Sequence, residues 1–427
     1  MSPVRGSTVG PQALYLHVPF CASRCRYCDF STAATRHGDP LIKGYAGALG
    51  RLVREAGSIG LLSGVRTVYV GGGTPTMLGA DALASLGRAV ISACGSPVAE
   101  ASFEANPESL GDEVLARAVD AGFTRVSIGV QSFDDRELKA LGRIHDAALA
   151  RDRVAAAVAS GLDASVDLMC GIPYQTTASW ERSLAAAIGL GARHVSCYPL
   201  MIEEGTAMER LCEEGRLPWP DDDDEADDME AAERVLGGAG LSRYEVASYA
   251  APGRACRHNI AYWTGAEYVG LGASAAGMLG RGSYEVLRSA VPSLPVPEEG
   301  AERFRLRVIS SSAEVAGAGR LADLAFEVEQ LSGREAACED LMLGMRMSRG
   351  VSAGLLDRAR GAVSGARVDA AVERAVDEGL AVWREGDPVD VVGPATASGD
   401  GRRLVPTERG WLMGNELYGL FWDLAGD

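Results

Sequence analysis

The sequence predicts an α/β protein, a partial (β/α)6-type barrel followed by a small helical, winged-helix-like domain. Between Leu14 and about Leu200, six short β-branched segments alternate with helical stretches, the pattern of βαβ units around a parallel sheet. Nearly every unusual glycine or polar motif directly follows one of these segments, where parallel strands carry their chemistry. From about Ala336 the pattern changes to short helices.

The strands read, in order, ALYLHVP, RTVYV, EASFEA, RVSIGV, ASVDLM and RHVSCYPL. Helical spacing is plain at Leu83, Leu86, Val90 and Ile91, and at Val114, Leu115, Ala118 and Val119, with Gly122 as a stop. The acidic run from Asp221 to Asp228 precedes Met229, Val235 and Leu236 at helical spacing, which favours an acid-rich helix start over an interaction tail. Residues 285–335, including SLPVPEEGAE, read as a connection with some strand. Val368, Val372 and Val376 before Gly379 predict a helix, Val389 to Val405 a hairpin, and Thr407 to Leu424 a last helix. That helix lacks an Arg or Lys cluster, so a packing or lid role is favoured over DNA binding. The expected division is 1–200 for the barrel, 201–335 for its extension and 336–427 for the C-terminal domain.

A chain of 427 residues can bury a large core. Its 47% hydrophobic and 23% charged residues indicate neither wholesale disorder nor a membrane-spanning chain. The net charge of −17 opposes attraction to phosphate backbones, so nucleic acid is not an expected partner. The opening residues MSPVRGSTVGPQ lack secretory-signal features, which predicts a cytoplasmic protein with reduced cysteines.

Three of the nine cysteines, Cys21, Cys25 and Cys28, fall in the loop after the first strand with spacing C-x3-C-x2-C. Three thiolates can hold three irons of a cubane and leave the fourth open to a ligand. A structural zinc site is the alternative, but it needs a fourth ligand, and the local candidates are His17, His37 and Asp29. Gly71-Gly72-Gly73-Thr74 follows the second strand, where missing side chains let a ligand approach the backbone. Glu104, Gln131 and Asp167 end the third, fourth and fifth strands at the same mouth, with Arg143 nearby in LGRIH. Each alone is more often a cap or a loop hydrogen bond, but together with Arg143 they match the ammonium, carboxylate and ribose of a bound cofactor. Tyr15 and Tyr27 flank the cysteines and either pack on a ligand or fill core.

The segment VPFCASRCRYCDF resembles the radical S-adenosylmethionine (SAM) superfamily. That resemblance implies a [4Fe-4S] cluster on Cys21, Cys25 and Cys28, with SAM bound at the open iron and cleaved to a 5′-deoxyadenosyl radical. The motifs from Tyr15 to about Asn415 resemble the branch that contains oxygen-independent coproporphyrinogen III oxidases and HemW-type heme chaperones. By that resemblance Tyr15, Gly72 and Glu104 touch one SAM, while Tyr27, Gly73, Thr74, Gln131, Arg143 and Asp167 match positions assigned to a second SAM in the oxidase.

Two departures argue against the oxidase: Phe30 stands where its motif has a further cysteine, and only twenty residues precede Cys21. In favour of the chaperone, His258-Asn259-Ile260-Ala261-Tyr262-Trp263 matches an H-N-x-x-Y-W segment linked to heme in that family. The resemblance makes His258 the heme-ligand candidate, with Cys256 as a thiolate alternative and hydrogen bonding within a core as the bland one. The segments CEDLMLGMRMSRGVS and LVPTERGWLMGNEL follow the same family pattern. The expected function is therefore heme binding and transfer to apo-proteins, possible as a homodimer. The alternatives are a radical SAM oxidoreductase acting on a tetrapyrrole such as coproporphyrinogen III, or a structural metal-binding protein.

Overall fold

A computed structural model describes residues 10–386 and 401–426. The expected strands form in their expected order: β1 (Ala13–Val18), β2 (Thr67–Gly72), β3 (Glu100–Ala105), β4 (Arg125–Gln131), β5 (Asp163–Cys170) and β6 (His194–Pro199). Each pairs in parallel with the next, beginning with Leu14 opposite Val68 and ending with Val166 opposite Val195. The sheet continues through β7 (Ser242–Arg243) and β8 (Ser248–Ala250) beside β6, and through β9 (Tyr268–Leu271), β10 (Ala276–Gly280), β11 (Ala301–Val308) and β12 (Phe326–Ser332) beyond β1. Twelve strands thus lie in the order β12-β11-β10-β9-β1-β2-β3-β4-β5-β6-β8-β7.

Alternation along the strands creates the site. Leu14, Leu16, Val68, Val70, Phe103, Val126, Ile128, Val166 and Val195 join the main apolar core. The intervening residues Tyr69, Glu104, Ser127, Ser165, Asp167, His194 and Ser196 line an interior cavity. Because successive strand side chains point to opposite faces, one period-two pattern makes both the core and a polar lumen.

Residues 285–335 carry strand, as expected, in β11 and β12. β11 buries Ala301 at its start and then Phe304, Leu306 and Val308, with which Arg303, Arg305 and Arg307 alternate as they meet Asp340, Glu339 and Glu327. The strand's position was obscured in the sequence by its charge and by a register irregularity against β12 between Ala301 and Arg303. The acidic run does start a helix, Asp222–Gly238, with Asp221 accepting hydrogen bonds from the Asp223 and Asp224 amides as its N-cap.

At the C-terminal end a second core gathers Leu341, Met345, Leu356, Val368, Leu404, Leu417 and Phe421. Strands Ala381–Glu385 and Arg402–Pro406 pair antiparallel as a wing, while Val389, in the expected hairpin, lies outside the described residues. The expected single last helix is two, Glu408–Leu412 and Gly414–Trp422, because Met413 leaves helical geometry at φ −95°, ψ 42°. Among the described residues no helix is long and apolar enough to cross a membrane.

Candidate functional site

Cys21, Cys25 and Cys28 line one wall of a cavity of about 440 Å³ that runs from the loop after β1 into the lumen. The thiols sit in a built polar environment. Thr74 Oγ1 donates to Cys21 Sγ at 3.5 Å, and Asn106 Nδ2 donates to Thr74 Oγ1 at 2.9 Å. Arg143 closes the chain, giving Nη2 to Asn106 Oδ1 at 2.7 Å and Nη1 to Cys25 Sγ at 3.2 Å. Two of the three sulfurs therefore accept hydrogen bonds from a single network. Asn106 was missed in the sequence, where FEANP makes it look like a turn residue.

Burial pushes the Cys21 and Cys28 thiols up, so thiolates here need compensating positive charge. Burial opposes the charge on Arg143 too, but Tyr27, Cys25 and Glu108 outweigh it and raise its pKa. Arg143 Nε is buried with no partner. These donors fit a group that brings negative charge to the sulfurs, as an iron–sulfur cluster does. Among the described residues no set of three His, Cys, Asp or Glu side chains is arranged around a single metal ion.

The glycine segment forms the next wall. Gly72 has φ +109°, and a Cβ there would run into the His17 ring. A Cβ on Gly73 would meet the Val18 and Phe20 carbonyl oxygens at 2.8 Å. The Gly72 amide donates to Glu104 Oε2 at 2.9 Å, and Tyr69 Oη donates to Glu104 Oε1 at 2.9 Å. Burial raises the Glu104 carboxyl to about 7 despite these donors.

Across the lumen Asp167 accepts from Ser127 Oγ at 2.9 Å and is raised to about 6 by burial. Gln131, at φ +67°, sits where the β4–β5 register shifts, and it lines the cavity with Tyr27. At the floor Arg125 pairs with Glu100 at 3.3 Å while its Nη1 has no partner. Ser165 Oγ meets His194 Nδ1 there at 2.7 Å. These floor residues were legible as the inward half of the strand alternation and were overlooked.

Three expected residues lie apart from the cavity lining: Tyr15, His258 and Thr74, the last of which reaches it through Cys21. Tyr15 Oη is 2.8 Å from His17 Nδ1, and its ring lies against Tyr69. His258, 1% exposed, has both nitrogens engaged: Nδ1 lies 3.1 Å from Thr67 Oγ1 and Nε2 lies 2.9 Å from Tyr262 Oη. Burial lowers its pKa to about 3, so the ring is neutral. Its helix, Arg257–Trp263, is anchored by Glu100, which accepts from the Arg257 and His258 amides at 3.0 Å. Cys256 lines the cavity, and its thiol donates to Glu100 at 3.4 Å.

Comparison with known proteins fits this geometry. Residues 15–187 match the radical SAM superfamily model. The heme chaperone HemW of Mycobacterium tuberculosis H37Rv is 40% identical over 283 residues, covering 66% of this chain and 72% of that protein. HemW of Synechocystis PCC 6803 is 32% identical over 351 residues, covering 81% of each. The fold is similar to that of Escherichia coli coproporphyrinogen III oxidase, with a TM-score of 0.71 at 19% identity over 96% of this chain and 90% of the other. The superfamily implies a [4Fe-4S] cluster and SAM as cofactors, and the donors around the cysteines suit them. The chain belongs to the HemW family of heme chaperones, a branch of the radical SAM superfamily.

Proposed function

We propose that this protein binds heme and passes it to apo-proteins in the cytoplasm, using a cluster on Cys21, Cys25 and Cys28 with SAM beside it to assemble or control transfer. The observation that carries the cofactor part is the network joining Cys21, Thr74, Asn106, Arg143 and Cys25 on a single cavity wall. All nine cysteines are free, which suits a reducing compartment.

When bound, the cluster supplies an open iron for the amino and carboxyl groups of SAM and an electron source. The protein's own part is to place and charge the site. Arg143 and Thr74 donate to the sulfurs. Gly72 and Gly73 leave room along the backbone, and Glu104 offers its carboxylate to a cationic group. Tyr15 supports that wall through Tyr69. Tyr27, Gln131 and Asp167 bound the remaining lumen, with space for ribose and base. His258 would serve as heme ligand in a conformation where Tyr262 has released Nε2.

The test is anaerobic. The chain, reconstituted with iron and sulfide, is mixed with heme and then with a heme-free acceptor protein, and the Soret band is followed during transfer. Heme transfer without substrate-dependent 5′-deoxyadenosine supports the chaperone. Turnover of a tetrapyrrole with 5′-deoxyadenosine release would instead support the oxidoreductase, and zinc without sulfide a structural metal protein.

A further inference from the structure

The histidine that family resemblance associates with heme is built into the wall behind the proposed SAM site. The His258 imidazole stacks on Tyr69 with ring centroids 5.1 Å apart and planes 27° from parallel. It also meets the Tyr262 ring edge-on at 4.7 Å. Both ring nitrogens are held, one by Thr67 on the strand that also carries Tyr69, the other by Tyr262 on the next turn of the His258 helix. The imidazole therefore has one defined plane against which Tyr69 stacks, and it lies closer than the other stacked neighbour of Tyr69, Tyr15, at 6.4 Å between centroids.

Tyr69 in turn has one task for its hydroxyl, the bond to Glu104 Oε1. Glu104 Oε2 accepts from the Gly72 amide, so a single carboxylate is fixed from two directions. Tyr69 and Glu104 line the cavity and His258 does not. We infer that His258 is a positioning residue for SAM: by stacking behind Tyr69 it fixes the hydroxyl that aims the Glu104 carboxylate, and with it the Gly72 backbone, at the cofactor. This rests on the proposal that SAM lies against Glu104 and Gly72, and it is independent of any heme bound to His258.

The arrangement also places Glu100 in the chain of support, because its carboxylate holds the amide of His258 itself. The helix carrying the stack is only Arg257–Trp263, and an anchored N-terminus compensates for its shortness.

The experiment measures SAM affinity of the anaerobically reconstituted full chain by calorimetry, with the electron paramagnetic resonance signal of the reduced cluster recorded with and without SAM. Loss of a hydrogen bond to a charged group should weaken SAM about tenfold in Tyr69→Phe. His258→Ala should give a similar loss, and the double variant should lose little more than either alone, since both act through the same carboxylate. Iron and sulfide should stay at parent levels. Ile260→Ala, buried on the same helix, controls for helix stability: it should lower Tm and leave SAM affinity unchanged.

Parent-like SAM affinity in His258→Ala, with Glu104→Gln weakened, overturns the positioning role and leaves the SAM site standing. Parent-like affinity in Glu104→Gln overturns the SAM-site proposal beneath it. If His258→Ala does not yield soluble protein, Tyr69→Phe in combination with Thr67→Val carries the comparison: additive losses count against the inference, and a shared loss supports it.

Discussion

Arg143 Nη1 lies 3.2 Å from Cys25 Sγ while Nη2 of the same guanidinium donates to the Gly129 carbonyl at 2.6 Å. A buried cation is thereby fixed by the backbone of β4 and pointed at a sulfur. A positive charge so held favours the more negative, reduced form of any cluster on that sulfur, because little water intervenes to screen it.

Replacing Arg143 with Gln should therefore lower the cluster's midpoint potential, and Arg143→Lys should recover part of the shift. Potentiometry followed by electron paramagnetic resonance reads the change. The Gln variant should also lose about 1–3 kcal/mol of stability, because Asn106 and Gly129 are left short of a donor. An unmoved potential would mean that Arg143 only packs.

Cys21, Cys25 and Cys28 replaced together by Ala should abolish the brown absorbance and the bound sulfide. Normal iron and sulfide in that triple variant would sink the ligand assignment.

Glu104→Ala and Gly72→Val should weaken SAM with the cluster retained, the first by removing charge and the second by forcing a Cβ toward the His17 ring at a positive φ. The pH dependence follows from the raised Glu104 carboxyl, at about 7. Between its unfolded value of roughly 4.3 and about 7 the native state holds the extra proton, so this group lowers stability progressively as pH rises through that window. SAM, a cation, should bind more tightly as pH rises through 7, and the Glu104→Gln profile should be flat there.

For heme, Tyr262→Phe removes the hydroxyl that occupies His258 Nε2. If His258 is the ligand, this variant should strengthen the Soret band at limiting heme, and His258→Ala should weaken it and slow transfer to an acceptor. Cys256→Ala tests the thiolate alternative by its distinct spectrum. Parent-like binding and transfer in all three would remove this segment from the heme site.

The six parallel strands and the cluster loop were legible because each has a short-range signature: apolar strand faces with helical intervals between them, and C-x3-C-x2-C after the first strand. β11 was legible only as some strand within 285–335, since AERFRLRV hides the apolar face of Phe304, Leu306 and Val308 behind arginines whose partners lie in β12 and in the Gly333–Gly344 helix. Asn106 looked like a turn residue because its role depends on Thr74 and Arg143, 32 and 37 positions away. Hydrogen bonding of His258 within a core was foreseen as its bland reading, and Tyr262 is local, but Thr67 and Tyr69 were invisible as partners because they reach it from a strand about 190 positions earlier.

The arginine face of β11 bears on how the molecule comes apart. Arg303 grips Asp340 through both terminal guanidinium nitrogens, at 2.8 and 3.0 Å, and Arg305 reaches the neighbouring Glu339 at 2.6 Å. Both acids sit on the Gly333–Gly344 helix, whose other side supplies Cys338 and Leu341 to the second core. One helix is thus shared between the large sheet, through β11 next to its edge strand β12, and the smaller core. Heating should then melt the two cores in a single calorimetric transition, with Arg303→Ala splitting it into two as the C-terminal unit loses its grip on the sheet.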